Sequence, residues 1–332
     1  MSEASAPQIS ILGCGWLGVG LAQVLLSRDV KVHGSTTSAA GLKRLRSIGI
    51  EPLLLRIDAP ENSSGSSADD TSQYQAIDDV PMDQRIHRIN AKTETFFSSP
   101  KIFLMIPPGG MTEPNQYAQI LNSYLRLWTD ANRDKGTLAK ESSSKHCEFI
   151  MVSSISVFGS NQGHVDDMTQ ALPDSTSGSE ILAAEKLLTE TAKAIGCSLT
   201  IVRAGGLVGI GRNPGLFLTG RKNVKNPDWP VNLIHQADLA TALANWALRI
   251  PDDRSKSVTE TQIFNAVANS HPSRREFYDF ASRKLDLTPP SFSEQILPVE
   301  SGKCVDGTRF FAKTETKIDF SDWMSALKEK RL

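Results

Sequence analysis

The chain has no excess of either charge. Its 36 Lys and Arg nearly balance 37 Asp and Glu, a formal net charge of −1 over 332 residues. Nucleic acid and anionic lipid are attracted by a basic field, so neither is an expected partner. Cysteine is scarce. Cys14, Cys147, Cys197 and Cys304 lie far apart in sequence and make no CxxC pair. That argues against a zinc or disulfide framework and for free thiols in a reducing compartment; no metal is expected. No stretch approaches the roughly 20 apolar residues of a membrane span. Residues 1–7 are polar and lack the apolar core of a secretory leader. The expectation is a cytoplasmic protein. What is present is 39% hydrophobic residues, enough for a large α/β domain with a smaller appendage.

One motif stands out near the start: Gly13-Cys14-Gly15-Trp16-Leu17-Gly18, after an apolar run at 9–12 and before a helical pattern at 19–26. In a strand–turn–helix context each glycine has a job. The first permits the tight turn, the second lets a pyrophosphate approach the backbone, and the third lets helix pack on strand. The helix N-terminus offers its free N–H groups to the phosphates. Gly13, Gly15, Trp16, Leu17 and Gly18 are therefore candidate dinucleotide contacts.

Apolar strands and helical patterns then alternate. Strands are expected at 30–34, 52–57, 101–106, 147–153, 199–202 and 262–267, and helices at 40–48, 117–128, 179–195 and 274–284. This rhythm predicts an α/β fold: a doubly wound parallel Rossmann sheet of about seven strands with a small C-terminal substrate lobe. The dinucleotide domain is expected over 8–205 plus 232–268, and the substrate-facing lobe over 206–231 plus 269–332. Residues 58–81 are rich in Ser, Asp, Gln and Asn and read as a mobile surface insertion, and 142–144 as a second loop.

Several motifs, taken in order, resemble the extended short-chain dehydrogenase/reductase superfamily of nucleotide-sugar epimerases and dehydratases. Beside the glycine turn, Ser153-Ser154-Ile155-Ser156-Val157-Phe158-Gly159 resembles the active-site strand end, SSxxVYG. Ala184-Glu185-Lys186 falls where the following helix carries its Glu. Val202-Arg203, with Gly209-Ile210-Gly211-Arg212, resembles the entry to the substrate lobe. Ile234-His235-Gln236-Ala237-Asp238-Leu239-Ala240 resembles IHVxDxA. The Gly-Cys-Gly turn, Pro107-Pro108, 217–220 and 271–276 are similar to an atypical, epimerase-like branch of that superfamily. The resemblance implies hydride chemistry on a small or sugar-like carbonyl or alcohol, and a homodimer paired through two helices, here near 117–128 and 179–195.

In such enzymes a Ser holds the substrate oxygen, a Tyr moves the proton, and a Lys four residues later holds the ribose. Ser154 matches the Ser, with Ser153 beside it. The YxxxK pair is missing: Tyr74, Tyr117, Tyr124 and Tyr278 are followed four residues later by Asp78, Leu121, Trp128 and Ser282. In the register set by Glu185, Ser177 stands at the Tyr position and Ile181 at the Lys position; Lys186 is turned away from it by about 140°. Losing a positioned acid/base costs about 10²–10⁴ in rate. His164, Asp166 and Asp167 are within reach in sequence but read first as solvated loop residues. His235 reads as structural, ahead of a helix cap at Asp238.

No carboxylate ends the second strand. Gly34 is followed by Ser35, Thr36, Thr37 and Ser38, which favours NADP over NAD, with Lys43, Arg44 or Arg46 as sources of charge. Pro107 and Pro108 make a stiff wall after the fourth strand. The arginine expected just before Ile-His is replaced by Val231-Asn232, leaving Arg212, Arg221 and Lys303 as candidate substrate contacts. Two readings stay open: an NAD(P)-dependent oxidoreductase or epimerase-like enzyme without YxxxK, and a catalytically silent NAD(P)-binding sensor.

Overall fold

Central strands of a parallel sheet are covered on both faces, and the first strand shows this at once: Ile9, Ser10, Ile11 and Leu12 are at most 2% exposed. The computed structural model describes residues 7–57, 74–76, 91–109, 113–132, 147–249, 260–293 and 302–328. In chain order it begins with β1 (Gln8–Leu12), α1 (Trp16–Leu26), β2 (Lys31–Thr36), α2 (Ala39–Ser47), β3 (Glu51–Ile57), β4 (Tyr74–Ala76), α3 (Ala91–Phe97) and β5 (Lys101–Leu104). There follow α4 (Gln116–Asn132), β6 (Glu148–Ser154), β7 (Gly163–Val165), α5 (Thr176–Ala194), β8 (Ser198–Ala204), β9 (Gly206–Val208), β10 (Leu233–His235) and α6 (Gln236–Leu248). The last elements are β11 (Thr261–Ala266), α7 (Arg274–Lys284), β12 (Lys303–Val305), α8 (Thr308–Lys313) and α9 (Trp323–Lys328).

The central sheet runs β11-β8-β6-β5-β1-β2-β3-β4. Its seven long strands are parallel and alternate with helices, as a Rossmann fold requires. The eighth, β4, pairs antiparallel with the outer edge of β3, Leu55 opposite Ala76. It lies inside the segment 58–81; the rest of that segment, residues 142–144 and Gly110 lie outside the described residues. The order reverses at β1, which pairs with β2 on one side and β5 on the other, Ile11 standing in register with both Gly34 and Phe103. That reversal is a switch point, and the glycine turn leaves the sheet there. In sheets of this kind ligands bind outside such a point.

The chain divides into two compact units. The first comprises Met1–Val152, Glu180–Ile201 and Pro251–Gln262; the second comprises Ser153–Ser179, Val202–Ile250 and Ile263–Leu332. The boundary cuts β6, β8 and β11, so their carboxyl ends belong to the second unit. The first packs Leu21, Leu25, Leu121 and Leu125 around its strands, with Trp128 edge-on to Phe149 at 5.9 Å. Cys147 and Cys197, 50 residues apart in sequence, are neighbours there as free thiols, and burial raises the Cys147 pKa. The second unit has its own aromatic centre of Trp246, Phe264 and Phe310, with ring centroids 5.1–6.1 Å apart. Among the described residues no helix is long and apolar enough to cross a membrane.

Candidate functional site

In the first unit the glycine turn is tied down from both sides. Gly13 N donates to Ser35 Oγ and Cys14 N to the Ser35 carbonyl, both at 2.9 Å. Gly13 has φ +76°, and a Cβ there would meet Ile106 Cγ1 at 2.8 Å. At Gly18 a Cβ would press on Ile11 at 3.2 Å and on the Gly13 carbonyl at 3.3 Å. The chain's own packing therefore explains both. Gly15 is different. It is exposed, and a Cβ would find only the Gly13 carbonyl, 3.9 Å away. Among the described residues nothing fills that space.

Gly15 also occupies the N-cap of α1, where no side chain caps the helix and no acid lies in the first turn. The first N–H groups of α1 are left without intrahelical acceptors and aim at the space above Gly15. A pyrophosphate brought against this turn would fit, with Trp16, half-buried, and Leu17, buried, opening the helix. Cys14 points inward, and burial pushes its thiol pKa up to about 12 against the pull of Arg44; it is packing, not a nucleophile.

Around the turn, β2 ends in Ser35, buried and already holding Gly13, then Thr36 and the exposed Thr37 and Ser38. After β5, Pro107 is exposed and Pro108 half-buried, and the Tyr117 hydroxyl donates to the Ile106 carbonyl at 2.9 Å. Burial, with the Glu185 carboxylate nearby, raises the Tyr117 pKa far above its ordinary value. Tyr117 therefore braces the loop and is badly placed to exchange protons.

The second unit holds the hydroxyl cluster. β6 ends on Ser153 and Ser154, and Ser154 Oγ accepts from Ser156 N at 3.1 Å, capping a short 3₁₀ turn over Ile155–Val157. Its own hydroxyl proton is not used in that bond. The Ser156 hydroxyl is buried without a hydrogen-bond partner among the described residues. Lys303, from β12, closes the turn: Nζ donates to the Ile155 carbonyl at 2.7 Å and the Phe158 carbonyl at 2.6 Å. Burial lowers the Lys303 pKa, partly offset by Asp174. The lysine is aimed by its backbone. β12 pairs with β7, and the Asn232 side chain clamps the strand, Nδ2 donating to the Lys303 carbonyl and Oδ1 accepting from Val305 N, both at 2.8 Å. Gly178, in the first turn of α5, packs so tightly that a Cβ would strike the Ser156 carbonyl.

The sequence candidates fall out as follows. Ser153, Ser154 and Lys303 meet at one turn. Ser177 lies exposed beside Gly178, Ile181 is buried, and Lys186 is exposed. Arg212 and Arg221 are exposed on the 209–221 segment. Asp166 is exposed, held low in pKa chiefly by the Thr169 hydroxyl. Asp167 is not a solvated loop residue: its side chain is 6% exposed, accepts from Asn265 N and pairs with Arg309 at 3.3 Å. The cap of α6 is His235 itself, Nδ1 accepting from Ala237 N at 3.2 Å. Asp238 instead accepts from the backbone of Asp319 and Phe320. Asn232 and Gly178 carry the geometry of the turn, yet in sequence Asn232 showed only as a missing arginine and Gly178 not at all.

No family model matches the sequence. The chain is 30% identical over 315 residues to protein YeeZ of Escherichia coli K12, covering 95% of this chain and 97% of that protein. Among solved structures it resembles a functionally unknown conserved protein from Silicibacter pomeroyi, with TM-score 0.64, 17% identity and 98% of each chain covered. It also resembles a UDP-glucuronic acid 4-epimerase from Bacillus cereus in complex with UDP-glucuronic acid and NAD, with TM-score 0.64, 13% identity, and 97% and 96% covered.

Proposed function

Given that the chain belongs to the family of Escherichia coli YeeZ and has the extended short-chain dehydrogenase/reductase fold, we propose that it is an NAD(P)-dependent oxidoreductase or epimerase-like enzyme. Its substrate class is a small or sugar-like carbonyl or alcohol, and its cofactor is NADP in preference to NAD. The observation that carries the reading is Gly15: an uncapped helix start beneath a space that the protein's own packing leaves open. Support for a nucleotide-sugar substrate comes from the fold relatives alone, one of which holds UDP-glucuronic acid and NAD.

The residues divide the work. The glycine turn and the start of α1 hold the pyrophosphate. Ser35 keeps the turn in shape by accepting from Gly13 N. When bound, the dinucleotide supplies or accepts the hydride. Ser154, whose oxygen already accepts from Ser156 N, has its proton free to hydrogen-bond a substrate oxygen. Lys303 puts an ammonium against the same turn and favours negative charge developing on that oxygen. Arg212 and Arg221 are candidate anion contacts for the remainder of the substrate. The cytoplasmic setting and a homodimer through α4 and α5 rest on the family resemblance and the free thiols.

The missing YxxxK favours a second reading, a nucleotide-occupied sensor. The two are separated by incubating the protein with NADPH or NADH and a panel of aldehydes, ketones and UDP-sugars. Turnover that falls by about 10²-fold or more in Ser154→Ala supports the enzyme. Tight nucleotide binding with no turnover across the panel supports the sensor and sinks the enzyme.

A further inference from the structure

Reduction of a carbonyl needs a proton as well as a hydride, and the chain has no YxxxK pair to deliver it. Around the hydroxyl turn of the second unit most titratable groups are already committed. Asp174 accepts from Ser160 N at 2.7 Å and from the Ser160 hydroxyl, which holds its pKa low. Asp166 is held low by the Thr169 hydroxyl. Near neutral pH neither carboxylate has a proton to give. Asp167 is bound to Asn265 N and to Arg309. His164 stands on β7 in register with Cys304, and Lys303 stands opposite Gly163. Side chains alternate along a strand, so His164 shares the face of Cys304 and points away from that of Lys303.

Lys303 is placed differently. An ammonium has three N–H donors. The Ile155 and Phe158 carbonyls take two of them, at 2.7 and 2.6 Å. Among the described residues the third has no acceptor. Loss of that proton leaves a neutral amine with two N–H groups, as many as the two carbonyls use. The side chain is thus held in both protonation states. Its acceptors belong to the same short turn that Ser154 caps, and the Ser154 hydroxyl proton is also unspent there. A Cβ on Gly163 would meet nothing within 4 Å, so β7 sets no side chain beside the lysine. Burial draws its pKa down toward the range where proton transfer is efficient. Asp174 is the charged group that acts on Nζ among the described residues, and it opposes that shift. The turn at 155–158 and Asn232 present only neutral groups.

We infer that Lys303 replaces the missing Tyr as the acid and base of the reaction, while Ser154 holds the substrate oxygen. The inference rests on the enzyme reading above. In the reductive direction a hydride from the reduced dinucleotide brings its electron pair to the carbonyl carbon and leaves the dinucleotide oxidised. The C=O π pair moves onto oxygen, and that oxygen takes the third Nζ proton. The N–H pair stays on Nζ as the lone pair of a neutral amine, and a proton from water restores the ammonium. In the oxidative direction the neutral amine takes the hydroxyl proton as the hydride departs.

The test uses the full chain with NADPH or NADH and the aldehyde, ketone or UDP-sugar that wild type turns over fastest. Lys303→Ala should lose about 10²-fold or more in kcat, and added methylamine should recover about tenfold of it by carrying the proton in the vacated space. Lys303→Arg keeps a cation and its donors but gives up no proton, so it should stay about 10²-fold down. Circular dichroism of each variant separates lost chemistry from a lost fold. A readout free of turnover is an NMR titration of protein isotope-labelled at the lysine Cε, with the signal assigned by its loss in Lys303→Arg. Lys303 should titrate below the ordinary lysine range. Turnover by Lys303→Arg within about tenfold of wild type overturns the inference and leaves only the charge. Loss in both variants without rescue by methylamine marks a structural lysine and overturns it too, as does titration in the ordinary range. Each of these leaves the enzyme reading standing. A wild type that binds nucleotide and turns over nothing overturns the enzyme reading, and this inference with it.

Discussion

Glycines in one motif need not be glycine for one reason, and here the reasons separate cleanly. At Gly13 the backbone has φ +76° and the space is filled by Ile106. Gly13→Ala should destabilise the protein by about 1–2 kcal/mol from the left-handed backbone alone, more with the Ile106 clash, read as a lower urea midpoint. At Gly15 the chain leaves room for a side chain. Gly15→Val should lower the urea midpoint only slightly, by the roughly 1 kcal/mol that a poorer N-cap costs, and weaken NADPH binding by tenfold or more. The opposite pattern, a destabilised Gly15→Val that still binds, would remove the ligand from the explanation. The motif was fully legible in the sequence; this division of labour was not, because it depends on what packs against each Cα. The same holds for Lys303. Its sequence neighbourhood marks it only as a cation, and its carbonyl acceptors lie 148 and 145 residues upstream.

At the scale of elements, sequence pattern located the long strands and most long helices, but of α6 (Gln236–Leu248) it showed only an expected cap at Asp238. All seven long strands were legible, and α7 runs over Arg274–Lys284, the span its periodicity predicts. The three-residue strands β7, β9, β10 and β12 were invisible, since so short a piece has no period and its partner is distant in sequence. β12 is held by pairing with β7 and by both polar atoms of the Asn232 side chain. Asn232→Leu strands the part-buried Lys303 carbonyl and the Val305 N–H at once, each costing about 1–3 kcal/mol. A loss of about 2–6 kcal/mol by urea unfolding is expected. Asn232→Asp keeps the acceptor for Val305 N but sets a carboxylate oxygen against the Lys303 carbonyl, so it should lose at least as much. A loss of under about 1 kcal/mol in Asn232→Leu would show that the clamp is not what holds the strand.

At the scale of the whole molecule, two histidines set how stability responds to acid. His33 donates from Nδ1 to Glu51 at 3.3 Å, while its Nε2 is buried without a partner among the described residues. Burial lowers its pKa, and does the same at His271. The unfolded chain then takes up protons near the ordinary value of about 6.5, before the folded chain can, so stability falls as pH drops through that value. The melting temperature should be lower at about pH 5.5 than at about pH 7.5, and His33→Gln should reduce the difference. A flat or rising profile would count against this. Asp166 and Asp174, held low by the Thr169 and Ser160 hydroxyls, lose their contribution only further down, in the carboxylate range.

The lysine that closes the Ser154 turn also sets a timetable. β1, the glycine turn and β2 pair within the first 36 residues, so that half of the machinery takes shape from local contacts. The turn after β6 waits for a residue 145 positions beyond Phe158. At a ribosomal rate of about 5–20 residues per second, that gap is on the order of ten seconds. During that interval a nascent chain carries its strand-end hydroxyls without their ammonium. Contacts of such sequence separation are also the slow ones in refolding. The hydroxyl turn is thus completed long after the glycine turn.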